Sequence, residues 1–310
     1  MKKRTSGDAP LGEVTKCQIC GSSQFEDIIN LDHQPPCDVL PNAKEVKEEH
    51  IHYPINVIRC KACGLVQLDH VAPPQVVFHR KYPYRTGITQ MLVENFKMLA
   101  EESIKNLKLK PGSLIVDIGS NDGTALQPFK DRGMRVLGIE PTDVAKIALK
   151  NKIPTIQKFF TEEIAKGVVK KHGQASLVIA TNVFAHINNL ASFVRGVSVL
   201  LPKDGVFISE SQYLLDTIKK NQYDTMYHEH LRFYSLKPLA LLFSKFGFTL
   251  TDARRIASAG GSIQAWATKG ANLPQAARLK KLIRAEEKYG LYKSKTFKDF
   301  AERSSSSCAV

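Results

Sequence analysis

The segment that most constrains the fold of this chain is a strand, a glycine turn and a helix near residue 120. Residues 114–118, Leu-Ile-Val-Asp-Ile, form an apolar run that predicts a strand buried on both faces, as in parallel sheets. Gly-Ser-Asn-Asp-Gly follows at residues 119–123, and residues 124–130 are predicted to form a helix that ends near Gly133. A glycine turn between a buried strand and a helix N-terminus lets a ligand approach the backbone closely.

The spacing of this turn indicates which class of nucleoside it favours. A second apolar strand is predicted at residues 134–140, and its last residue, Glu140, stands where nucleoside-binding units place the acceptor for the ribose hydroxyl. Gly119 and Gly123 lack between them the middle glycine of G-x-G-x-x-G, which admits a pyrophosphate, and Asp117 stands two positions before Gly119. The pattern therefore favours a cationic nucleoside without phosphates over a dinucleotide.

The D-x-G-x-x-x-G turn resembles that of the class I S-adenosylmethionine-dependent methyltransferases. We expect S-adenosylmethionine to bind over residues 119–123, with its ribose on Glu140 and its adenine near Pro141 and Phe160. The alternative is that any Rossmann-like sheet can end a strand in Gly-Ser-Asn. The candidate cofactor-binding residues are Asp117, Gly119, Asn121, Asp122, Gly123, Glu140, Pro141, Phe160, Asn182 and His186.

Two C-x-x-C-G motifs near the N-terminus predict a structural zinc site. They supply Cys17 and Cys20, and then Cys60 and Cys63, each pair on a tight turn that the following glycine closes. Disulfides are the first alternative, but a cytoplasmic chain keeps its thiols reduced. A redox dithiol is the second, and such a motif would not occur twice. The remaining cysteines, Cys37 and Cys308, receive no role.

Strand and helix patterns alternate after the zinc motifs. Helices are predicted at residues 88–107, 142–150, 162–171, 190–201 and 236–246, and strands at residues 154–160, 176–180, 205–210, 248–256 and 262–268. The last two strands form a closing hairpin-like pair. The predicted fold class is α/β: a doubly wound, Rossmann-like class I methyltransferase sheet with a small N-terminal zinc-binding domain.

The domain boundaries follow from the same patterns. We predict a disordered N-terminus at residues 1–16, a zinc-binding domain at 17–80, an S-adenosylmethionine-dependent methyltransferase domain at 81–270 and a helical C-terminal segment at 271–310.

Net charge and composition limit the possible partners. The formal net charge of +14 could attract nucleic acid, an anionic surface or a phosphorylated substrate. The basic residues are scattered rather than grouped with aromatic residues, which favours a solvated basic surface. No apolar run reaches the length of a membrane span, and residues 5–16 lack the apolar region of a signal peptide. We therefore expect a cytoplasmic protein with no membrane partner.

A second concentration of chemically active residues follows the predicted strand at 205–210. Residues 223–230, Tyr-Asp-Thr-Met-Tyr-His-Glu-His, hold two histidines, two tyrosines and two acids. A histidine can act as a general base near neutral pH, and a tyrosine can donate to an oxyanion. The alternatives are half of a metal site, or a polar loop whose histidines are satisfied by hydrogen bonds.

These motifs together resemble the sugar C-methyltransferases that act on nucleotide-linked keto-deoxysugars. The resemblance extends from residue 17 to about residue 300. It rests on the paired C-x-x-C-G motifs and on Asp32-His-Gln-Pro-Pro36, Tyr82-Pro-Tyr84, Ile118-Gly-Ser-Asn-Asp-Gly-Thr124, Asn182-Val-Phe-Ala-His186, Asp224-Thr-Met-Tyr-His-Glu-His230 and Gly260-Gly-Ser262. It implies that His230 is the base and that Tyr227, Glu229 and a tyrosine of the Tyr82-Pro-Tyr84 loop line the sugar pocket.

The chain departs from this family at two places. Members continue into a further C-terminal lobe, so we expect residues 271–310 to be the start of a lobe that the chain mostly lacks. Around Gly260, the family often carries a histidine and an arginine where Ala259 and Gln264 stand here. Two other functions stay open: a nucleic-acid methyltransferase and a non-catalytic binder of S-adenosylmethionine or nucleotide-sugar. The turn Asn182-Val-Phe-Ala and the lack of a cysteine between Cys63 and Cys308 argue against the former. Oligomeric state is not predicted.

Overall fold

The computed structural model of the chain describes residues 11–47 and 49–308. Its strands are β1 (Gly12–Glu13), β2 (Phe25–Gln34), β3 (Tyr53–Cys60), β4 (Val66–Leu68), β5 (His70–Val71), β6 (Leu114–Ile118), β7 (Arg135–Ile139), β8 (Thr155–Ile156), β9 (Leu177–Thr181), β10 (Val206–Gln212), β11 (Arg232–Phe233), β12 (Phe248–Ile256) and β13 (Ser262–Lys269). Its α-helices are α1 (Pro74–Val77), α2 (Gln90–Asn106), α3 (Gln127–Lys130), α4 (Ala145–Lys150), α5 (Glu162–His172), α6 (Leu190–Leu200), α7 (Leu214–Lys219), α8 (Leu236–Lys245), α9 (Ala277–Tyr289) and α10 (Ser294–Cys308).

The largest sheet is mixed and has the strand order β12-β13-β10-β9-β6-β7-β8. Strands β6 to β10 run parallel, whereas β13 is antiparallel to both β10 and β12. This confirms the predicted class I sheet, including its closing antiparallel pair. The C-terminal ends of β6, β7, β9 and β10 meet at one edge, which is where open α/β sheets bind ligands.

Helices cover both faces of this sheet. In β6, Leu114, Val116 and Ile118 belong to a core cluster that includes side chains of α5 and α6. Ile115 belongs to a second cluster that includes side chains of α2 and α3. Successive side chains of a strand point to opposite faces, so the apolar run at residues 114–118 buries both faces of the sheet at once.

Three predicted elements are shorter than the sequence pattern indicated. The helix predicted at residues 124–130 is reduced to α3, because the Asp122 carboxylate accepts hydrogen bonds from the backbone N–H and hydroxyl of Thr124 and holds that residue in a turn. The predicted helix at 142–150 begins at Ala145, because the Thr142 hydroxyl donates to Glu140 and accepts from the N–H of Val144, which holds residues 142–144 in a turn. The predicted strand at 154–160 pairs only over Thr155–Ile156, at the edge of the sheet.

The N-terminal lobe is built on a second, four-stranded sheet with the order β11-β4-β3-β2. Three of its strands come from residues 25–68, within the predicted zinc-binding domain. The fourth, β11, comes from residues 232–233 and pairs antiparallel with β4. The backbone N–H of Leu68 also donates to the carbonyl of Leu231 at 3.1 Å. The segment that follows His230 is therefore part of the zinc lobe's sheet.

The prediction of a disordered N-terminus at residues 1–16 is wrong for its last part. Strand β1 pairs with β5, and Val14 is buried while its N–H donates to the carbonyl of Asp69 at 2.7 Å. The apolar Val14 side chain and the open edge of β5 stabilise this short pairing. Residues 1–10 lie outside the described part of the chain.

The C-terminal helices pack against both lobes. Leu279 of α9 and Phe297 and Phe300 of α10 are buried in the main core cluster. The Glu286 carboxylate accepts from the backbone N–H of Leu236 at 2.9 Å, which caps the start of α8. The guanidinium of Arg59, on β3, lies 5.4 Å from the ring centroid of Phe297. Among the described helices, none is both long and apolar enough to cross a membrane.

Candidate functional site

A cavity of about 400 Å³ opens at the C-terminal edge of the parallel strands. That volume is within the usual range for small-molecule sites. Its wall includes most of the residues predicted as cofactor-binding or catalytic: Gly119, Asn121, Glu140, Pro141, Phe160, Asn182, His186, Tyr82, Tyr84, Tyr227, Glu229 and His230. Three predicted residues, Asp117, Asp122 and Gly123, are not part of that wall.

The glycine turn after β6 is tightly packed. Gly119 has φ +74°, and a Cβ added there would lie 2.2 Å from Cγ2 of Val183. Gly123 has φ +85°, and its added Cβ would lie 3.0 Å from Ile153. Both the left-handed backbone and the close neighbours require glycine at these positions. The backbone of the turn can therefore line the cavity at Gly119 without a side chain in the way.

Asn121 and Asp122 connect this turn to the Tyr82-Pro-Tyr84 loop. Oδ1 of Asn121 accepts from the N–H of Thr86 at 2.9 Å, and its amide donates to the carbonyl of Tyr84 at 3.1 Å. Oδ2 of Asp122 accepts from the N–H of Gly87 at 2.9 Å. Asp122 thus acts behind the cavity wall, where it fixes the loop that carries the tyrosines.

Glu140 is held rigidly at the end of β7. Its Oε1 accepts from the N–H of Thr142 at 2.9 Å and from the Thr142 hydroxyl at 2.6 Å, and its Oε2 accepts from the N–H of Asn121 at 3.1 Å. The side chain is 5% exposed and lines the cavity. A carboxylate has about four acceptor positions, so this one keeps capacity for a ribose hydroxyl.

Asp117 lies near the C-terminal end of β6 but does not line the cavity. Burial, followed by the charge of Glu140, raises the pKa of its carboxyl well above the ordinary value. Its Oδ1 has no hydrogen-bond partner among the described residues. Asp117 therefore makes no direct contact with the cavity that would support its predicted role in cofactor binding.

His230 lines the same cavity in a defined orientation. Its Nδ1 lies 2.8 Å from the carbonyl oxygen of Thr225, so Nδ1 carries the proton and Nε2 is left with a lone pair. Burial lowers the pKa of His230 to about 4, which keeps the ring neutral at pH 7. The ring also lies 4.2 Å from that of Tyr227 and 5.1 Å from that of His186, centroid to centroid.

The neighbouring predicted residues surround this imidazole. His186 stacks on Phe78 with centroids 5.5 Å apart, and burial lowers its pKa well below the ordinary value. Asn182 follows β9 with φ +56°, which places it at a sharp turn on the cavity edge. Phe160 packs edge-on against Phe193. Phe78, Phe160 and His186 form the aromatic part of the wall, and Asn182 contributes a polar residue.

Glu229 points into the cavity beside His230 and is engaged by two donors. The hydroxyl of Tyr82 donates to its Oε2 at 2.8 Å, and the thiol of Cys37 donates to its Oε1 at 3.4 Å. Burial, followed by Asp38, raises the pKa of Glu229 to about 8. Burial and the charge of Glu229 also raise the pKa values of the Tyr82 and Tyr227 hydroxyls, so both stay protonated as donors.

His228 occupies a different environment from His230. Its Nε2 lies 3.0 Å from the carbonyl oxygen of Tyr53, and the two rings contact edge-on. It is 3% exposed and does not belong to the cavity wall. The two histidines of the loop therefore face different surroundings, and only His230 lines the cavity.

Sequence reasoning missed several polar residues of the site. Thr142 donates to the Glu140 carboxylate and orients it. A threonine two residues after a glutamate can form such a local hydrogen bond, so this spacing could have indicated the contact. Ser211 and Gln212 end β10 at the ligand-binding edge, which the strand-end rule could have identified. Asp38 also lines the cavity. Its contribution had no signal in the sequence, because it depends on how the zinc lobe packs.

The four cysteines of the paired motifs come together in the N-terminal lobe. Their sulfur atoms all lie within 4.8 Å of one another, with Cys17 to Cys63 and Cys20 to Cys60 each 3.5 Å apart. Sulfurs on a tetrahedral zinc ion, at Zn–S distances of about 2.3 Å, would be about 3.8 Å apart. All four are free cysteines, since these separations far exceed a disulfide bond. The set fits a closed structural zinc site.

The local geometry of the two turns supports this site. Gly21 and Gly64 have φ +80° and +79°, and their N–H groups donate to the carbonyls of Cys17 and Cys60. A hydrogen bond from Cys63 lowers the pKa of the Cys17 thiol to about 5. Burial raises the pKa of the Cys20 thiol to about 11, and the hydrogen bond to Cys17 raises the pKa of the Cys63 thiol. Zinc binds thiolates, so metal binding must release protons from these cysteines.

Comparison with protein families assigns both parts of the chain. Residues 17–78 match a family described as "Putative zinc binding domain", and residues 90–253 match one described as "Methyltransferase domain". The second match covers more than half of the chain.

Individual relatives and solved structures are also similar. The chain is 32% identical over 259 residues to the C-methyltransferase NovU of Streptomyces niveus, an alignment that covers 83% of this chain and 61% of NovU. It is 28% identical over 125 residues to a ubiquinone biosynthesis O-methyltransferase of Pelagibacter ubique, covering 38% of this chain and 48% of that protein. The chain thus spans about half to three fifths of the length of these curated relatives.

Two solved structures align at low sequence identity. Magnesium protoporphyrin IX methyltransferase of Synechocystis PCC 6803 with bound SAH has 15% identity and a TM-score of 0.44, over 57% of this chain and 83% of that one. An S-adenosylmethionine-dependent methyltransferase of Anabaena variabilis also has 15% identity and a TM-score of 0.44, over 56% and 84%. The chain belongs to the methyltransferase-domain family, with S-adenosylmethionine as its cofactor and with a zinc-binding domain on its N-terminal side.

Proposed function

We propose that this chain is an S-adenosylmethionine-dependent C-methyltransferase that acts on a nucleotide-linked keto-deoxysugar. The single observation that carries the proposal is the orientation of His230. Its Nδ1–H is committed to the carbonyl of Thr225, and the ring lines the same cavity as Gly119 and Glu140. A neutral imidazole with a free Nε2 lone pair, facing a cofactor cavity, is what a general base requires.

Carbon methylation needs such a base for a chemical reason. A sugar carbon becomes a nucleophile only when a proton beside a ketone is removed, so an enolate or enol must form. S-adenosylmethionine supplies an electrophilic methyl group on a sulfonium when it is bound. The chain's own residues must remove the proton, stabilise the oxygen and exclude water.

We assign the proton removal to Nε2 of His230. Its depressed pKa keeps it unprotonated near neutral pH, but it also makes the imidazole a weak base. Removal of a proton by a weak base is favourable only if the oxygen of the enolate is well stabilised. Tyr227, Glu229 and a tyrosine of the Tyr82-Pro-Tyr84 loop line the cavity on that side and are assigned to the oxygen.

The cofactor is assigned to the turn side of the cavity. Glu140 would accept from the ribose hydroxyls, and the backbone at Gly119 and Asn121 would pass beside the methionine part. Pro141 and Phe160 line the wall beyond Glu140, where the adenine would lie. Asn182 and His186 also line the cavity and are assigned to the cofactor.

Two observations favour the substrate class. NovU, which is 32% identical to this chain, is itself named a C-methyltransferase. The motif resemblance given above adds nucleotide-linked keto-deoxysugars, and the net charge of +14 is compatible with a substrate that carries a diphosphate.

The test is a methyl-transfer assay with a panel of nucleotide-linked 4-keto-deoxysugars, with RNA and a quinol as controls. We expect methyl transfer to carbon on at least one sugar, together with solvent deuterium exchange at that carbon without cofactor. Transfer to RNA or to a quinol oxygen instead would replace the proposal. Tight binding of S-adenosylmethionine and sugar without transfer or exchange would identify a non-catalytic binder.

A further inference from the structure

A loop of the zinc lobe brings a second carboxyl group to Glu229. Asp38 lines the cavity, and one ligand atom each of Cys37, Asp38 and Glu229 lie within 4.8 Å of one another. The loop is fixed there, because Nε2 of His79 lies 3.1 Å from the carbonyl oxygen of Asp38. Glu229 is 4% exposed, whereas Asp38 is half-buried and Cys37 is exposed, so the two carboxyl groups meet where the buried wall reaches the mouth of the cavity.

We propose that Asp38 and Glu229 form a carboxyl pair in which Glu229 carries the proton, with Asp38 as the positioning residue that keeps this proton on Glu229. A second carboxyl group this close makes ionisation of the buried Glu229 less favourable. The proton serves the oxygen of the substrate ketone. The inference goes beyond the assignment of Glu229 above and rests on the proposed function for its catalytic step.

The groups that face Glu229 favour a shared proton over a bound cation. Asp38 and the thiol of Cys37 belong to the N-terminal lobe, and Tyr82 belongs to the loop before α2. Tyr227 and His230 belong to the same segment as Glu229. Cys37 and Tyr82 both donate hydrogen to the Glu229 oxygens. A metal ion would have to displace these donors, whereas a proton between the carboxyl groups leaves both bonds intact.

The titration behaviour of the corner agrees with this geometry. Burial raises the pKa of Glu229 to about 8, and Asp38 is the next contribution. Burial, Glu229 and Asp38 raise the pKa values of Cys37 and Tyr82, so neither donor ionises before the pair does.

The catalytic step balances with this proton. His230 Nε2 takes the proton from the substrate carbon, and the C–H electron pair forms the carbon–carbon double bond of the enol. The carbonyl oxygen takes the proton of Glu229, which leaves Glu229 as a carboxylate that accepts from Tyr82 and Cys37. When the carbon bonds to the transferred methyl group, the O–H proton returns to Glu229 and the ketone is restored.

Infrared difference spectroscopy on the full chain, without cofactor or sugar, tests the pair directly. The difference between wild type and Glu229→Gln isolates the C=O stretch of the Glu229 carboxyl, which we expect to be protonated at pH 7. In Asp38→Asn the titration midpoint of that band should fall by about one pH unit or more, because the like charge is removed. Asp38→Glu should keep the midpoint close to that of wild type.

Asp32→Asn is the matched control, since Asp32 is an exposed carboxylate of the same N-terminal lobe that does not line the cavity. It should leave the midpoint unchanged. An unprotonated Glu229 at pH 7, or a midpoint that Asp38→Asn does not lower, overturns the proposal. The spectra are recorded without turnover. Failure of the sugar assay alone would therefore refute the proposed function, while the protonation of Glu229 could still be measured.

Discussion

The Nδ1 atom of His230 lies 2.8 Å from the carbonyl oxygen of Thr225, five residues earlier in the same loop. This bond selects the tautomer that leaves Nε2 unprotonated, on a ring that lines the cavity. His230→Ala should therefore reduce the rate by about 10²–10⁴-fold, the usual value of a positioned general base, with little change in S-adenosylmethionine affinity. Single-turnover assays and calorimetry measure the two quantities.

His228→Gln is the control for that variant, because His228 contacts the carbonyl of Tyr53 outside the cavity. It should lose far less rate than His230→Ala. Solvent deuterium exchange at the substrate carbon should disappear in the His230 variant. Persistence of exchange at the wild-type rate would assign the base to another residue.

Burial of His230 also makes stability depend on pH. Its pKa is lowered from 6.5 to about 4 in the folded protein, so between those values the unfolded chain binds a proton that the folded chain does not. The free energy of unfolding should fall as the pH falls through this window. Between pH 7 and pH 5, wild type should lose about 2 kcal/mol more than His230→Gln, as urea titrations can measure. Equal losses in the two proteins would contradict the buried, neutral ring.

Zinc should be held by the four cysteines of the paired motifs. Metal analysis is expected to give one zinc ion per chain, lost in Cys60→Ser and retained in Cys37→Ala, since Cys37 lies at Glu229 instead. Removal of zinc should also speed hydrogen exchange at the amide of Leu68, which bonds to Leu231. Natively folded, metal-free protein with unchanged exchange would rule out a structural role.

Glu140 should contribute strongly to cofactor affinity. Its carboxylate is held by Thr142 and Asn121 in a fixed direction, so a bond to the ribose costs little ordering. Glu140→Ala should reduce the binding free energy of S-adenosylmethionine by about 1.5–3 kcal/mol, measured by calorimetry. Glu163→Ala, on the exposed start of α5, is the control. Unchanged affinity in Glu140→Ala, or preferential binding of NAD, would contradict the assignment.

Gly119 should tolerate no side chain while Val183 is present. Gly119→Ala places a Cβ 2.2 Å from Cγ2 of Val183 and also keeps an unfavourable φ of +74°. We expect loss of cofactor binding and of stability by about 2 kcal/mol or more. The double variant Gly119→Ala/Val183→Ala should recover part of the cofactor binding and part of the stability. The second substitution removes the contact with Val183 Cγ2 but leaves the unfavourable φ at residue 119. Equal losses in the single and double variants would show that the contact is unimportant.

The parts of the fold that the sequence predicted depend on local patterns. The apolar run at residues 114–118 could only be a doubly buried strand, and the C-x-x-C-G turns carry their own geometry in Gly21 and Gly64. Boundaries were less predictable where a side chain competes with the backbone. Asp122 shortens α3 through Thr124, and no periodicity records such a bond.

The candidate site divides in the same way. Glu140 and His230 belong to recognisable motifs, so the sequence could nominate them, and both line the cavity. Asp38 lies in a proline-rich loop without a pattern of its own. Its proximity to Glu229 results from the packing of the zinc lobe against the cavity, which is a tertiary contact between distant parts of the chain.

Strand β11 has a consequence for how the protein is made. The zinc lobe's sheet needs Arg232–Phe233 as an edge strand, and these residues leave the ribosome about 170 residues after Cys63. At a synthesis rate of about 5–20 residues per second, β11 is synthesised roughly ten to thirty seconds after Cys63. The N-terminal lobe is synthesised first, but its sheet can be completed only after β10 of the central sheet has been synthesised. A nascent chain that stalls before residue 232 would display its cysteines on an unfinished sheet, accessible to oxidants and to competing metal ions.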